Sequence, residues 1–235
     1  MSHKKSIFII SPHPDDAVFS CGEHIYRWKK SGYEITVCTV FTQFSAPQLS
    51  LYAIDYLAAC GFINVEDFTR QRASEDVEAM RILQVSRIDI GLTTGIFRSI
   101  HGQPLYPIAE RVYSSQRHPA DAITIRVIKQ YLRQYMSSHS FSSVLIPRGI
   151  GCHIDHLLVR TACEDLFSPE QILYYADLPY ATCVHNWNHE DLIKILTSLR
   201  SVALFPIHKT RAVSAYTSQR WMLPGWFSCM PEFIF

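Results

Sequence analysis

Near its start the chain reads Ser11-Pro12-His13-Pro14-Asp15-Asp16, which places one imidazole and two carboxylates in a short stretch. Pro12 and Pro14 fix their own φ and push the residues before them toward extended backbone, so these groups sit in a stiff turn. Adjacent aspartates resist ionising together unless a cation or the positive end of a helix offsets them. Far along the chain, Pro147-Arg148-Gly149-Ile150-Gly151-Cys152-His153-Ile154-Asp155-His156 supplies two more imidazoles and another carboxylate. If the strands before these stretches are near neighbours, His13, Asp16 and His156 could form a facial set of two imidazoles and one carboxylate. Such a set leaves positions open for water and substrate, as a catalytic zinc site needs. His153, about one helical turn before His156, would lie near the metal without having to bind it. Singly, each piece has a plainer reading: a chance His-x-x-His, an Asp-Asp helix cap, and at Cys152 a small buried thiol rather than a nucleophile. Jointly they are much more specific.

The elements that must position these groups follow from patterning. Ser6–Ser11 is a compact β-branched and aromatic run, read as a buried strand. From Asp15 or Asp16 to Lys30 the chain reads as a helix, with acids first, Lys29 and Lys30 last and Gly32 just beyond. Glu34–Phe41 reads as a second strand, which makes a βαβ unit and hence a parallel sheet. The first motif then lies beyond the carboxyl end of a strand, where open α/β sheets bind ligands. A strand at Ser143–Ile146 places the second motif at the same kind of edge. Helices are expected at Arg70–Leu83, Pro119–Tyr135, Asp191–Leu199 and Pro206–Gln219, with further strands at Arg87–Ile90 and Gln171–Ala176. Thr42–Tyr56 and Leu92–His118 resolve into no strong element and are candidate substrate walls. The expected fold is α/β, a Rossmann-like three-layer sandwich with a mostly parallel sheet, formed by residues 1–235 as one domain.

Composition narrows the function. With 48% hydrophobic, 12% aromatic and 18% charged residues, the chain can bury a sizeable core, which excludes disordered and fibrous classes. Lys and Arg number 22 against 21 Asp and Glu, so no bulk field draws nucleic acid or an anionic membrane. Apolar runs are too short to span a bilayer, and the basic start is not followed by a long apolar region, so no signal peptide is expected. Seven dispersed cysteines with no Cys-x-x-Cys pair fit free thiols in a reducing cytoplasm.

His13-Pro14-Asp15-Asp16 after an N-terminal strand, together with the distant His153-x-Asp155-His156, resembles the LmbE/PIG-L family of zinc-dependent N-deacetylases. Gly22, Arg72-x-x-Glu75-Asp76-x-x-Ala79 and Lys209-x-x-Ala212-x-x-x-Tyr216-x-Ser218-Gln219 extend the resemblance over most of the chain. It implies Zn2+ held by His13, Asp16 and His156, with Asp15 as general base. It also implies a charged His153 that stabilises the oxyanion and can protonate the leaving amine, Asp155 orienting or tuning His153, and Arg72 in substrate binding. Three positions stand out. Gln84 occupies a place where relatives commonly have glycine, Gly151 one where some carry tyrosine, and Asp177-x-Pro179-Tyr180 is similar to a subset acting on sugar-containing products.

The implied activity is hydrolysis of an N-acetyl group on an N-acetylglucosamine-type sugar or conjugate, in a cytoplasmic protein that self-associates as many relatives do. The alternatives are an amidase acting on another sugar conjugate or N-acyl amide, and a non-catalytic, metal-stabilised sugar-binding module. A non-haem iron oxygenase shares the two-His-one-carboxylate set, but its ligands normally sit on a β framework.

Overall fold

The computed structural model describes residues 5–187, 201–203, 207–223 and 230–235. The chain runs β1 (Ser6–Ser11), α1 (Asp16–Lys30), β2 (Glu34–Gln43), α2 (Leu51–Ala59), α3 (Val65–Leu83) and β3 (Ser86–Thr93). A short hairpin, β4 (Ser99–Ile100) and β5 (Gln103–Pro104), precedes α4 (Ala109–Val112) and α5 (Asp121–Met136). The second half holds β6 (Ser143–Pro147), α6 (Ile154–Glu164), β7 (Ile172–Tyr175), β8 (Ser201–Ala203), α7 (Thr210–Val213) and β9 (Glu232–Ile234).

The central sheet has the order β3-β2-β1-β6-β7-β9-β8. The first five strands are parallel, while β9 runs antiparallel to both of its neighbours. The α/β expectation with a mostly parallel sheet therefore holds. Alternation along the strands builds a core on each face of the sheet. Phe8 and Ile10 of β1 face α5 and α6 through Ile128, Leu132, Leu158 and Val159. Ile7 and Ile9 face α1, α3 and α7 through Val18, Ile25, Met80 and Ala212. Helices cover both faces, which explains why the interior of β1, Ile7 to Ile10, is apolar instead of alternating.

From β1 the sheet grows to one side through β2 and to the other through β6, so the switch point falls between β1 and β6. Ile7, Phe8 and Ile9 pair with Ser143, Val144 and Leu145. The two chemistry-bearing stretches leave the carboxyl ends of these adjacent strands, in the crevice that open sheets use for ligands.

Several boundaries differ from the sequence expectations for identifiable reasons. The helix expected from Arg70 begins at Val65, because Asn64 caps it by accepting the Asp67 N–H at 2.8 Å. It ends at Gln84, whose φ of 56° is left-handed, the conformation glycine adopts without strain. Gln84→Gly is therefore expected to raise stability by about 0.5–1 kcal/mol, read from the midpoint of urea unfolding. The stretch 42–56 contains the start of α2, capped by the Ser50 side chain. The stretch 92–118 carries a 3-10 turn at Gly95–Phe97, the hairpin and α4.

The continuous helix expected over Pro206–Gln219 is not formed. Its described part is α7 followed by a 3-10 helix at Thr217–Met222. Polar groups there are drawn elsewhere: the Tyr216 hydroxyl donates to the Pro14 carbonyl at 2.6 Å and lies 3.0 Å from Asp76 Oδ1, and the Ser218 N–H donates to Glu75. The helix expected at Asp191–Leu199 lies outside the described residues. Cys21, Cys38, Cys60, Cys163 and Cys183 form no disulfide, and among the described residues no helix is long and apolar enough to cross a membrane.

Candidate active site

The turn after β1 is built by its own polar groups. The Ser11 hydroxyl donates to the His13 carbonyl at 2.6 Å and accepts the Ala17 N–H at 3.0 Å, tying the strand end to the first turn of α1. Tyr216 props it from below through the Pro14 carbonyl at 2.6 Å. Asp15 begins the helix, yet its side chain caps nothing, so a cap does not explain it. Asp16 Oδ2 accepts the His13 N–H at 2.8 Å and lies 3.0 Å from His13 Nδ1.

The second stretch turns through Gly149, Gly151 and Cys152, all at positive φ, before α6 begins. Cys152 is only half-buried rather than a core thiol. Gly151 is required twice over: its φ is +83°, and a Cβ there would sit 2.6 Å from Tyr180 Cβ. Gly151→Ala is expected to cost about 2–4 kcal/mol, combining left-handed strain with overpacking, as measured by urea unfolding. His153 caps α6, its Nδ1 accepting the Asp155 N–H at 3.2 Å. A neutral ring in that role carries its proton on Nε2.

The structure brings His13, Asp16 and His156 together. His156 Nε2 lies 3.2 Å from Asp16 Oδ2, the same oxygen that faces His13 Nδ1. Each ring is anchored at its other nitrogen: His13 Nε2 is 3.0 Å from Asp155 Oδ2, and His156 Nδ1 is 2.6 Å from Asp177 Oδ1. With those nitrogens donating, His13 Nδ1, His156 Nε2 and Asp16 Oδ2 all present lone pairs to one another. His156 Nε2 is buried and has no hydrogen-bond partner among the described residues. Converging lone pairs backed by outer carboxylates fit a metal ion, and the donor types suit zinc. His153 belongs to the same imidazole cluster, in which one nitrogen each from His13, His153 and His156 falls within 4.8 Å.

Electrostatics point the same way. Burial disfavours protonated imidazole, yet Asp16 and Asp155 push His13 up to about 9. Asp16 and Asp177 likewise push His156 up to about 10 against burial. Burial alone would raise the Asp16 carboxyl, but His156 and His13 hold it well below its ordinary value. The pocket thus favours positive charge at those two rings. His153 differs: burial, then repulsion from His13, holds it well below the ordinary histidine value. As placed here, its Nδ1 accepts the Asp155 N–H, which leaves Nε2–H to face the cleft. Asp155 orients it through the backbone N–H, while the Asp155 carboxylate goes to His13, Thr94, Gly95 and Arg98.

Asp15 Oδ1 pairs with Arg72 Nη2 at 3.1 Å, both residues being buried. Arg72 Nε and Nη1 make no hydrogen bond among the described residues, although Nη1 lies 3.7 Å from Glu75. Both Asp15 and Arg72 line a cleft enclosing about 560 Å³ of space outside the protein atoms, part of it open to solvent. Phe44, Tyr56, Tyr113 and Tyr180 provide aromatic walls. Tyr113 and Thr94 come from the stretch 92–118, which therefore does form one wall.

Sequence reasoning did not assign Asp177, Thr94 or Arg98 to the site. Asp177 accepts the Gly149 and Ile150 N–H groups at 2.7 and 2.9 Å as well as His156 Nδ1. Its signals in the sequence were the Asp177-x-Pro179-Tyr180 resemblance and its place just after strand β7, at the same sheet edge as both motifs.

Residues 8–167 match the family described as PIG-L, GlcNAc-PI de-N-acetylase. The chain is 25% identical over 232 residues to 2'-N-acetylparomamine deacetylase from Niallia circulans, covering 92% of this chain and 81% of that protein. It is similar to a crystal structure of a deacetylase-bog complex in the biosynthesis pathway of teicoplanin, with a TM-score of 0.77 at 25% identity over 94% of this chain and 87% of that one. The zinc inhibited form of a teicoplanin deacetylase gives 0.76 at 25% identity with the same coverage.

Proposed function

Because the chain belongs to the GlcNAc-PI de-N-acetylase (PIG-L) family, we propose that it is a zinc-dependent hydrolase. It removes the N-acetyl group from an N-acetylglucosamine-type sugar or sugar conjugate. The observation carrying this reading is the convergence of His13, Asp16 and His156 on one point, each ring anchored by an outer carboxylate, with Asp15 beside them in the same cleft. A relative named 2'-N-acetylparomamine deacetylase and a deacetylase of the teicoplanin biosynthesis pathway support the substrate class. A zinc inhibited form of one of them supports the choice of metal.

An amide resists hydrolysis because its carbonyl is a weak electrophile and its amine a poor leaving group. Zinc held by His13, Asp16 and His156 would polarise the carbonyl and acidify a water molecule. Asp15 takes the proton as that water attacks. His153, whose Nδ1 accepts the Asp155 N–H, donates its Nε2–H to the carbonyl oxygen as charge gathers there. On collapse Asp15 passes the proton it holds to the departing nitrogen, so acetate and a free amine result. This division of labour leaves amine protonation to Asp15, because His153, with Nδ1 accepting the Asp155 N–H, has one ring N–H and uses it as a hydrogen bond to the oxygen. Arg72 holds Asp15 in place and offers its remaining N–H groups to the substrate.

The test is carboxylate and amine release from a panel of N-acetylglucosamine conjugates and their longer-acyl analogues by zinc-loaded and metal-stripped protein. Release that needs the metal supports the reading. Release only from amides bearing larger acyl groups replaces it with a broader amidase, and no release from fully metallated protein leaves the non-catalytic sugar-binding module.

A further inference from the structure

Asp155 is fully buried, and its carboxylate is saturated by groups from two directions. Oδ2 accepts the Thr94 hydroxyl at 2.9 Å and the Gly95 N–H at 2.8 Å, and meets His13 Nε2 at 3.0 Å. Oδ1 accepts Arg98 Nη1 at 2.9 Å. Gly95 approaches so closely that a Cβ there would fall 2.9 Å from Ile154 and 3.2 Å from Asp155 Oδ1.

Arg98 in turn spans two buried carboxylates. Its Nε lies 2.9 Å from Asp121 Oδ1, and its guanidinium sits 5.5 Å from the ring centres of both Phe41 and Tyr106. Tyr106 donates to the other Asp121 oxygen and accepts the His118 N–H at 2.9 Å. A continuous chain of contacts, buried from Asp155 to Tyr106, therefore runs from His13 through Asp155, Arg98, Asp121 and Tyr106 to His118. The segment it spans carries Thr94, Ile96, Phe97 and Tyr113, which wall the cleft.

We infer that Arg98 is a positioning residue: by bridging Asp155 and Asp121 it fixes the carboxylate that aims His13, and joins the cleft wall to the metal ligands. Without the guanidinium, two buried carboxylates would face each other with no cation between them, an arrangement a buried site cannot keep. Asp155 would then turn or the wall would shift, and in either case the Nε2 anchor of His13 would be lost. Lysine cannot replace the fork, because a point charge meets one carboxylate well but not both. Since coupling is reciprocal, zinc binding at one end should order the wall at the other. The inference rests on the reading of His13 as a metal ligand.

The test compares wild type, Arg98→Met, Arg98→Lys and Thr94→Val by zinc affinity, through chelator competition, and by amide hydrogen exchange over residues 94–118 with and without zinc. Wild type should bind zinc and exchange more slowly over 94–118 when loaded. Arg98→Met should bind about 10–100-fold more weakly, the usual cost of losing an outer partner of a metal ligand, and should lose the zinc-dependent slowing. Arg98→Lys should fall between, and Thr94→Val should weaken zinc in the same direction by less. A purely structural arginine would loosen the wall equally with and without zinc and leave the affinity unchanged, which overturns the inference. If Arg98→Met does not fold, Thr94→Val decides: unaltered zinc affinity overturns the inference and weakened affinity supports it. Wild type that takes up no zinc overturns the metal reading, and the inference with it.

Discussion

Asp15→Asn is expected to lower kcat by about 10²–10⁴-fold while zinc content stays at the wild-type level. Asparagine keeps the shape of the side chain and an oxygen for Arg72 Nη2, which sits 3.1 Å from Asp15 Oδ1. What it cannot do is take a proton from water or return one to nitrogen. The lone pairs that converge on Asp16 Oδ2 come from His13 and His156 and do not involve position 15, so metal binding should survive. The measurement is the initial rate of acetate release at equal metal occupancy, with zinc counted by elemental analysis. Wild-type turnover in a fully loaded variant would assign the base elsewhere, and loss of zinc would make Asp15 part of the ligand set.

The second large effect is expected at a residue that never touches the substrate. Asp177 holds His156 Nδ1 at 2.6 Å through one oxygen and the Gly149 and Ile150 N–H groups through the other. Asp177→Asn leaves a single acceptor for donors on two sides, and its amide N–H groups oppose whichever donor they meet. His156 then loses its fixed tautomer and orientation, and the loop before His153 loses two of its ties. Zinc affinity should fall by about 10–100-fold, read by chelator competition, with activity recovering partly as zinc is raised. Unchanged affinity would mean that packing around His156 suffices to aim the ring.

Much of this site could be read in the chain because its chemistry is concentrated in two short stretches that follow strands. A β-branched run, two prolines and paired acids are local features, and a parallel sheet brings such stretches to one edge whatever lies between. Hence His13, Asp16 and His156 could be grouped before any coordinates. The helix start at Asn64 and the break before Thr217 could not, because the first depends on one side-chain cap and the second on Tyr216 and Ser218 finding partners in the turn before α1 and in α3. The links from Asp155 to Arg98 and from His156 to Asp177 are equally silent in sequence. They join residues far apart in the chain: Arg98 carries no periodic or compositional mark, and the Asp177-x-Pro179-Tyr180 motif does not say which ring Asp177 will hold.

The pairing of β1 with β6 has a consequence for the order in which the protein matures. His13 and His156 are brought together only when Ile7, Phe8 and Ile9 meet Ser143, Val144 and Leu145, a contact between distant parts of the chain. Local units such as the first βαβ crossover can form early, whereas contacts of such long sequence separation are slow to close. A nascent or partly folded chain therefore holds one half of the donor set and has little hold on a metal ion, and capture becomes tight only as the last central strands register. Metal uptake followed in real time during refolding would accordingly act as a clock for completion of the sheet, lagging behind the appearance of helix.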